Sequence, residues 1–164
     1  MIQYVMVEPD SHELVSAAEA IRYEMLREVN ALPPSHDFDA DFRARTRDFF
    51  LSGGQLSVLA VNGTVVSMGE IMENGSVVGC GTICYTELMP TFDHPTGHRA
   101  HLMNIYVRRD FRRRGIAREI VKVLVETAKS RGVTEISLDA TASGRPLYES
   151  LGFVQNNAGM ILTL

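Results

Sequence analysis

The chain has no tryptophan and only two cysteines, Cys80 and Cys84. Two thiols are too few for the disulfide framework of a small secreted domain. On an extended strand they share one face but lie too far apart along it to bond, so buried free thiols are expected. No apolar run approaches the roughly 20 residues of a membrane span. The opening residues, MIQYVMVEPDSHE, lack a basic region followed by an apolar stretch and a small-residue cleavage site, which makes the cytoplasm the expected compartment. No long block of one charge occurs, and the formal net charge is −4. That balance argues against nucleic acid or an anionic membrane as the main partner and is compatible with a cationic acceptor such as an amine.

What is there suits one globular domain spanning 1–164, with 45% apolar and 22% charged residues. Ile2 to Val7 is a β-rich run broken by Pro9. Asp10 or Ser11 can cap a helix in which Leu14, Val15, Ala18, Ile21, Met25, Leu26 and Val29 recur at helical spacing, with Pro33 and Pro34 ending it. Phe38 to Leu51 reads as a second helix. Three strands follow, Ser57–Val61, Thr64–Met72 and Ser76–Tyr85, separated by Asn62-Gly63 and Asn74-Gly75. Asn-Gly is a strong hairpin signal because both turn residues tolerate positive φ, so an antiparallel meander is expected. The stretch from 62 to 76 exceeds a minimal hairpin; it is either a homodimer contact or substrate wall, or an indel-tolerant surface hairpin.

Ala100 to Val107 reads as a strand after a polar loop, MPTFDHPTGHR. A helix then carries Ala117, Ile120, Val121, Leu124 and Ala128 on one face, closed by Gly132. Thr134 to Ala140 is a strand, Pro146 to Leu151 a short helix, and Met160 to Leu164 a last strand. The fold class implied is α/β with a mixed sheet, in which the strands ending at Val107 and starting near Thr134 run parallel. The expected core comprises Val5, Leu14, Ile21, Leu26, Val58, Ile83, Leu102, Ile120, Leu124, Ile136, Leu138, Leu151 and Phe153.

The chemistry concentrates in Tyr106 to Ala117, YVRRDFRRRGIA. A strand runs into Arg112, Arg113, Arg114, Gly115, Ile116 and Ala117 at a helix start. Such a junction presents unpaired N–H groups and the positive end of a helix dipole, a site for a diphosphate; its competitor is a solvated basic helix start. The Lys-Ser/Thr of a nucleotide P-loop and the G-x-G-x-x-G fingerprint are both missing.

RRRGIA has the form [Q/R]-x-x-G-x-[G/A], and LYESLGF (147–153) has the form L-Y-x-x-x-G-F. In this order, one strand and one helix apart, they make the chain resemble the GNAT superfamily of acyl-CoA N-acyltransferases along essentially its whole length. The resemblance implies a GNAT-like fold, with a parallel strand pair splayed around acetyl-CoA, and acetyl transfer to a primary amine by direct attack in a ternary complex. Amides of Arg112 to Ala117 would hold the pyrophosphate. Backbone groups of Ile105 and Val107 would meet the pantetheine arm, and an N–H there would stabilise the oxyanion. Tyr148 would protonate the departing thiolate; its competing reading is an amphipathic core tyrosine. Thr141 stands where many members have a cofactor-contacting asparagine.

Asn104, polar in an apolar strand, is expected to face the thioester or the acceptor. No general base is legible, although Glu87, Asp93, His94, His98 and His101 border the expected acceptor site. The H-x3-H-x2-H spacing of the three histidines lacks carboxylate or thiolate partners in its loop, so no metal is expected. The alternative function is a CoA-binding regulatory or interaction module without turnover.

Overall fold

The computed structural model describes residues 1–63 and 76–164. Its elements are β1 (Ile2–Val7), α1 (His12–Val29), α2 (Ala40–Leu51), β2 (Gln55–Asn62), β3 (Val77–Glu87) and β4 (His98–Val107). A 3₁₀ turn (Arg109–Phe111), α3 (Ile116–Ser130), β5 (Glu135–Leu138) and α4 (Arg145–Glu149) follow. The sheet order is β1-β2-β3-β4-β5, antiparallel through β4, with β4 and β5 parallel. This is the mixed sheet the element pattern implied. The expected strand Thr64–Met72, the Asn74-Gly75 turn and most of the long 62–76 stretch lie outside the described residues. β2 and β3, on either side of it, pair directly.

The centre of the sheet is covered on both faces. From Gln55 to Val61 every residue of β2 is buried. Val58, Ile83 and Leu102 pack with Ile120, Val121 and Leu124 of α3, while Leu59, Cys80 and Tyr106 pack with Val15, Ile21 and Phe50 of α1 and α2. None of the expected core residues is exposed. Leu14, Ile21, Val58, Ile83, Leu102, Ile120 and Leu124 are buried, and Val5, Leu26, Ile136, Leu138, Leu151 and Phe153 are partly so. Cys80 and Cys84 are free thiols, and burial pushes the Cys80 thiol up to about 12. No helix among the described residues is long and apolar enough to cross a membrane.

Two expectations are corrected. Helix α1 stops before Pro33 because Ala31 enters the left-handed region (φ 52°), where Ala31 N–H donates to Glu28 O and Leu32 N–H to Arg27 O. That is a Schellman closure without glycine, and it leaves Val29 70% exposed. Met160 to Leu164 forms no strand, and Met160, Ile161, Leu162 and Leu164 stand in solvent. Strand preference reflects packing on a half-buried pleated surface, and this segment lies on none.

Gly81 of β3 faces α3 at close quarters: a Cβ there would meet Ile120 Cγ2 at 2.4 Å and Ile105 Cδ1 at 2.7 Å. Gly81→Ala should therefore destabilise the fold by about 1–3 kcal/mol through overpacking. Urea unfolding checks this; an unchanged midpoint would show that α3 can back away freely.

Candidate active site

The site begins where strand pairing stops. β4 and β5 are in register from Arg99↔Glu135 to Leu102↔Leu138, and no pair continues beyond Leu102. At that point β4 carries a bulge. Cys80 pairs with Tyr106 and Thr82 with Met103, so Asn104 and Ile105 together stand opposite Gly81. Asn104 takes φ 59°, a conformation asparagine tolerates better than most residues. A bulge bends its strand and strengthens the local twist, which turns the end of β4 away from β5.

The opened space is a cleft of about 1050 Å³ between β4, the start of α3 and the 141–150 segment. Asn104, Ile105, Val107, Arg112, Arg113, Gly115, Ile116, Ala117, Thr141 and Tyr148 all line it. Arg114 does not: its guanidinium donates to Asp110 O at 2.7 Å and lies over the Phe111 ring. Residues 113–117 form a cradle of backbone amides. Arg113 (φ 62°) and Gly115 (φ 79°) are both left-handed, and Gly115 caps α3 without a side-chain bond. The backbone N–H groups of Arg113 to Ala117 have no acceptor among the described residues, whereas that of Arg112, expected to join them, donates to Arg109 O at 3.2 Å and closes the 3₁₀ turn. Successive free amides at a helix start attract an anion.

Helix α1 holds this cradle in place. Arg108 forks onto the Glu24 carboxylate at 2.8–3.0 Å. Glu28 receives hydrogen bonds from Arg109 Nε, Arg112 Nη2 and the Tyr106 hydroxyl, and Arg112 Nε also closes on Val107 O at 2.8 Å. Burial alone would raise the Glu28 pKa, but these donors outweigh it and hold the carboxyl below its usual range. Nothing in the local sequence pointed to this clamp, because its partners lie some 80 residues apart. The one available signal was Glu24 and Glu28 at i,i+4, a like-charge pair that weakens an isolated helix and so calls for outside cations.

Tyr148 is half-buried beside Gly144, where a Cβ would meet its ring at 3.3 Å. Burial raises its pKa, so the phenol stays protonated at neutral pH. The Thr141 hydroxyl faces the cleft while accepting from Gly144 N at 3.2 Å and bonding Ser143 Oγ, so it caps the turn before α4. Of the loop candidates for a base, only His101 lines the cleft; it sits against Ser137 and Asp139. His94 and His98 turn instead to Glu135 and Glu87.

A second cavity, of about 260 Å³, opens on the α1–α2 side of the sheet, lined by Arg22, Phe42, Arg45, Thr46, Phe49, Phe50, Thr82, Met103 and Asn104. Met103 and Asn104 line both spaces, so the two adjoin where the bulge begins.

The site thus combines a mixed sheet that splits between its two parallel strands with a run of free backbone amides at the start of a helix. The chain belongs to the acetyltransferase (GNAT) family, whose model matches residues 23–153. A glucosamine 6-phosphate N-acetyltransferase of Oryza sativa subsp. japonica is 26% identical over 80% of this chain and 74% of its own length. The [ribosomal protein bS18]-alanine N-acetyltransferase of Salmonella typhimurium is 44% identical over 57 residues, 33% of this chain and 38% of that one. The chain thus spans well under two thirds of that curated relative, and 59% of a second, a glucosamine 6-phosphate N-acetyltransferase of Trypanosoma brucei brucei. Among solved structures, a predicted acetyltransferase of Clostridium acetobutylicum with acetyl-CoA superposes with a TM-score of 0.77 at 23% identity, over 99% of this chain and 96% of that one. An aminoglycoside acetyltransferase from an uncultured soil metagenomic sample, solved with trehalose, gives 0.71 at 12% identity, over 99% and 96%.

Because the folded Glu28 pKa is depressed, its contribution to stability is present at neutral pH. It fades as pH falls below the ordinary glutamate value of about 4.3 and is lost through the lower folded value. Glu28→Gln should therefore be less stable than wild type at pH 7, and the two should converge on acidification. Urea unfolding across this range checks it; a constant difference would remove Glu28 from the acid response.

Proposed function

We propose that this protein transfers the acetyl group of acetyl-CoA to a primary amine by direct attack in a ternary complex. The observation that carries this reading is the shared wall at Met103 and Asn104, where a long cleft with an anion cradle meets a compact second pocket. Acetyl-CoA supplies an activated thioester; the chain's own groups do the rest. The amides of Arg113 to Ala117 hold the diphosphate. The edge of β4 beyond Leu102 offers its backbone to the amide units of the pantetheine arm, as a neighbouring strand would. An N–H at this edge stabilises charge on the attacked carbonyl, the large electrostatic contribution in acyl transfer. Tyr148 holds a proton for the departing thiolate, and burial keeps it there. Among the described residues no carboxylate or imidazole lines the second pocket, and the amine's proton leaves by way of water.

Two variants test separate parts. At Gly115 a Cβ would meet nothing within 4 Å, and aspartate is among the residues best suited to positive φ, so Gly115→Asp should fold. Its charge should weaken acetyl-CoA binding by tenfold or more, while neutral Gly115→Asn should lose less; equal calorimetric affinities in all three proteins would dismiss the cradle. Tyr148→Phe should lower kcat and kcat/KM together by about 10²–10⁴-fold with acetyl-CoA affinity retained. Wild-type turnover, with chemistry rate-limiting, would leave Tyr148 only its packing role. Thiol release on adding amines tests the whole reading, since a binding module without turnover gives none.

A further inference from the structure

Arg22 is a half-buried guanidinium that the acetyl-transfer chemistry does not use. Nη1 donates to Asn104 Oδ1 at 3.0 Å. Its Nε and Nη2 have no acceptor among the described residues, and neither is sealed from solvent. Arg22 lines the second pocket and not the cleft. Other cations that α1 meets are matched: Arg47 has Glu19, Arg108 has Glu24, and Arg109 and Arg112 have Glu28. Among the described residues no carboxylate lines the pocket with Arg22, and desolvation lowers its pKa, the mark of a cation short of counter-charge. An anion brought by a ligand would relieve that cost.

The guanidinium is also aimed. Asn104 Nδ2 donates to Thr82 Oγ1 at 3.3 Å, and Thr82 Oγ1 lies 2.7 Å from Ser57 Oγ. Ser57 spends its proton on Gln55 Oε1, and Gln55 Nε2 donates to Phe50 O. Each hydroxyl has one proton, so only one direction satisfies the chain: Thr82 donates to Ser57, and every donor points away from Arg22. The amide of Asn104 is thereby locked with its oxygen toward Arg22. This fixes the guanidinium beside Asn104, where the pocket adjoins the cleft.

Resting on the acetyl-transfer reading, we propose that the acceptor is a free α-amino acid with an apolar side chain. Its carboxylate pairs with Arg22, and its side chain lies among Phe42, Phe49, Phe50 and Met103. An amine and a carboxylate on one carbon suit a cation that stands next to the reaction wall. At about 260 Å³ the pocket falls just below the 300–1,000 Å³ range of drug-sized ligands. A polycationic aminoglycoside would face Arg22 and Arg45 with no carboxylate in the lining. An amino-sugar phosphate also brings an anion, but those of its hydroxyls set against Phe42, Phe49, Phe50 and Met103 would lose their water partners unreplaced.

The test measures thiol release from acetyl-CoA with L-phenylalanine, L-methionine and L-leucine, with phenethylamine as the carboxylate-free partner of phenylalanine, and with glucosamine 6-phosphate and kanamycin. Wild type should favour phenylalanine over phenethylamine by about ten- to hundredfold in kcat/KM, the size of one charge-assisted contact. Arg22→Met keeps the side chain's length and removes its charge; it should erase that preference, chiefly through KM, and Arg22→Lys should restore part of it. Acetyl-CoA affinity reports that each variant is folded. Equal kcat/KM for the two partners, a preference that survives Arg22→Met, or turnover confined to glucosamine 6-phosphate or kanamycin would each overturn the assignment. If no amine releases thiol, the transferase reading itself fails. Calorimetry of L-phenylalanine with CoA-loaded protein then decides the pocket alone: binding lost in Arg22→Met upholds it, and no binding to wild type ends it.

Discussion

The bulge at Asn104 and Ile105 is the constraint on which the rest of the site depends. One extra residue opposite Gly81 lets β4 run parallel to β5 as far as Leu102 and then part from it. Without the parting there is no cleft. Its neighbours accommodate it in different ways. Gly81 has no Cβ to strike Ile105 and Ile120. Asn104 accepts a left-handed φ and uses its amide to bind Arg22 on one side and Thr82 on the other. The strand is thus bent where its polar groups are also satisfied, which lets strain persist at a place of use.

Two sets of charges serve the two ends of this bend. At the far end, Glu24 and Glu28 gather Arg108, Arg109, Arg112 and the Tyr106 hydroxyl, tying α1 to the loop that becomes the anion cradle. The carboxylates take up side-chain charge there, so what stays unmatched at the cradle is its free backbone amides and Arg113, which has no partner among the described residues. At the near end, Arg22 stands on the same helix with no carboxylate beside it among the described residues. Among the described residues, carboxylates thus meet the cations that tie α1 to the 108–112 loop and not the one beside the bulge.

The sequence made most of the cleft legible. RRRGIA and LYESLGF each occupy adjacent residues, and a strand-to-helix turn forces free amides into one place whatever surrounds it. The parallel β4–β5 pair was readable from a helix lying between two strands. The pattern misled where an outcome depended on having a partner. Met160 to Leu164 is apolar like a strand but packs on no sheet, and α1 ends at Val29, ahead of the prolines, because the backbone closure at Ala31 comes first. Arg114 turns its side chain back to Asp110 and Phe111, but its backbone N–H, the group the motif calls on, has no acceptor among the described residues.

The sequence by itself determined the order of the helices and strands from Ile2 to Val61 and from Val77 to Glu149 and most of the core residues, because these follow from periodicity and from contacts within a few residues. Only the tertiary structure decided that Asn104 belongs to a bulge, that Glu28 clamps the cradle and that Arg22 opens onto a pocket of its own. Each of these is a relation between groups some 20 to 80 residues apart, and spacing along a chain carries no record of which distant group will arrive to satisfy a charge or leave it unmatched.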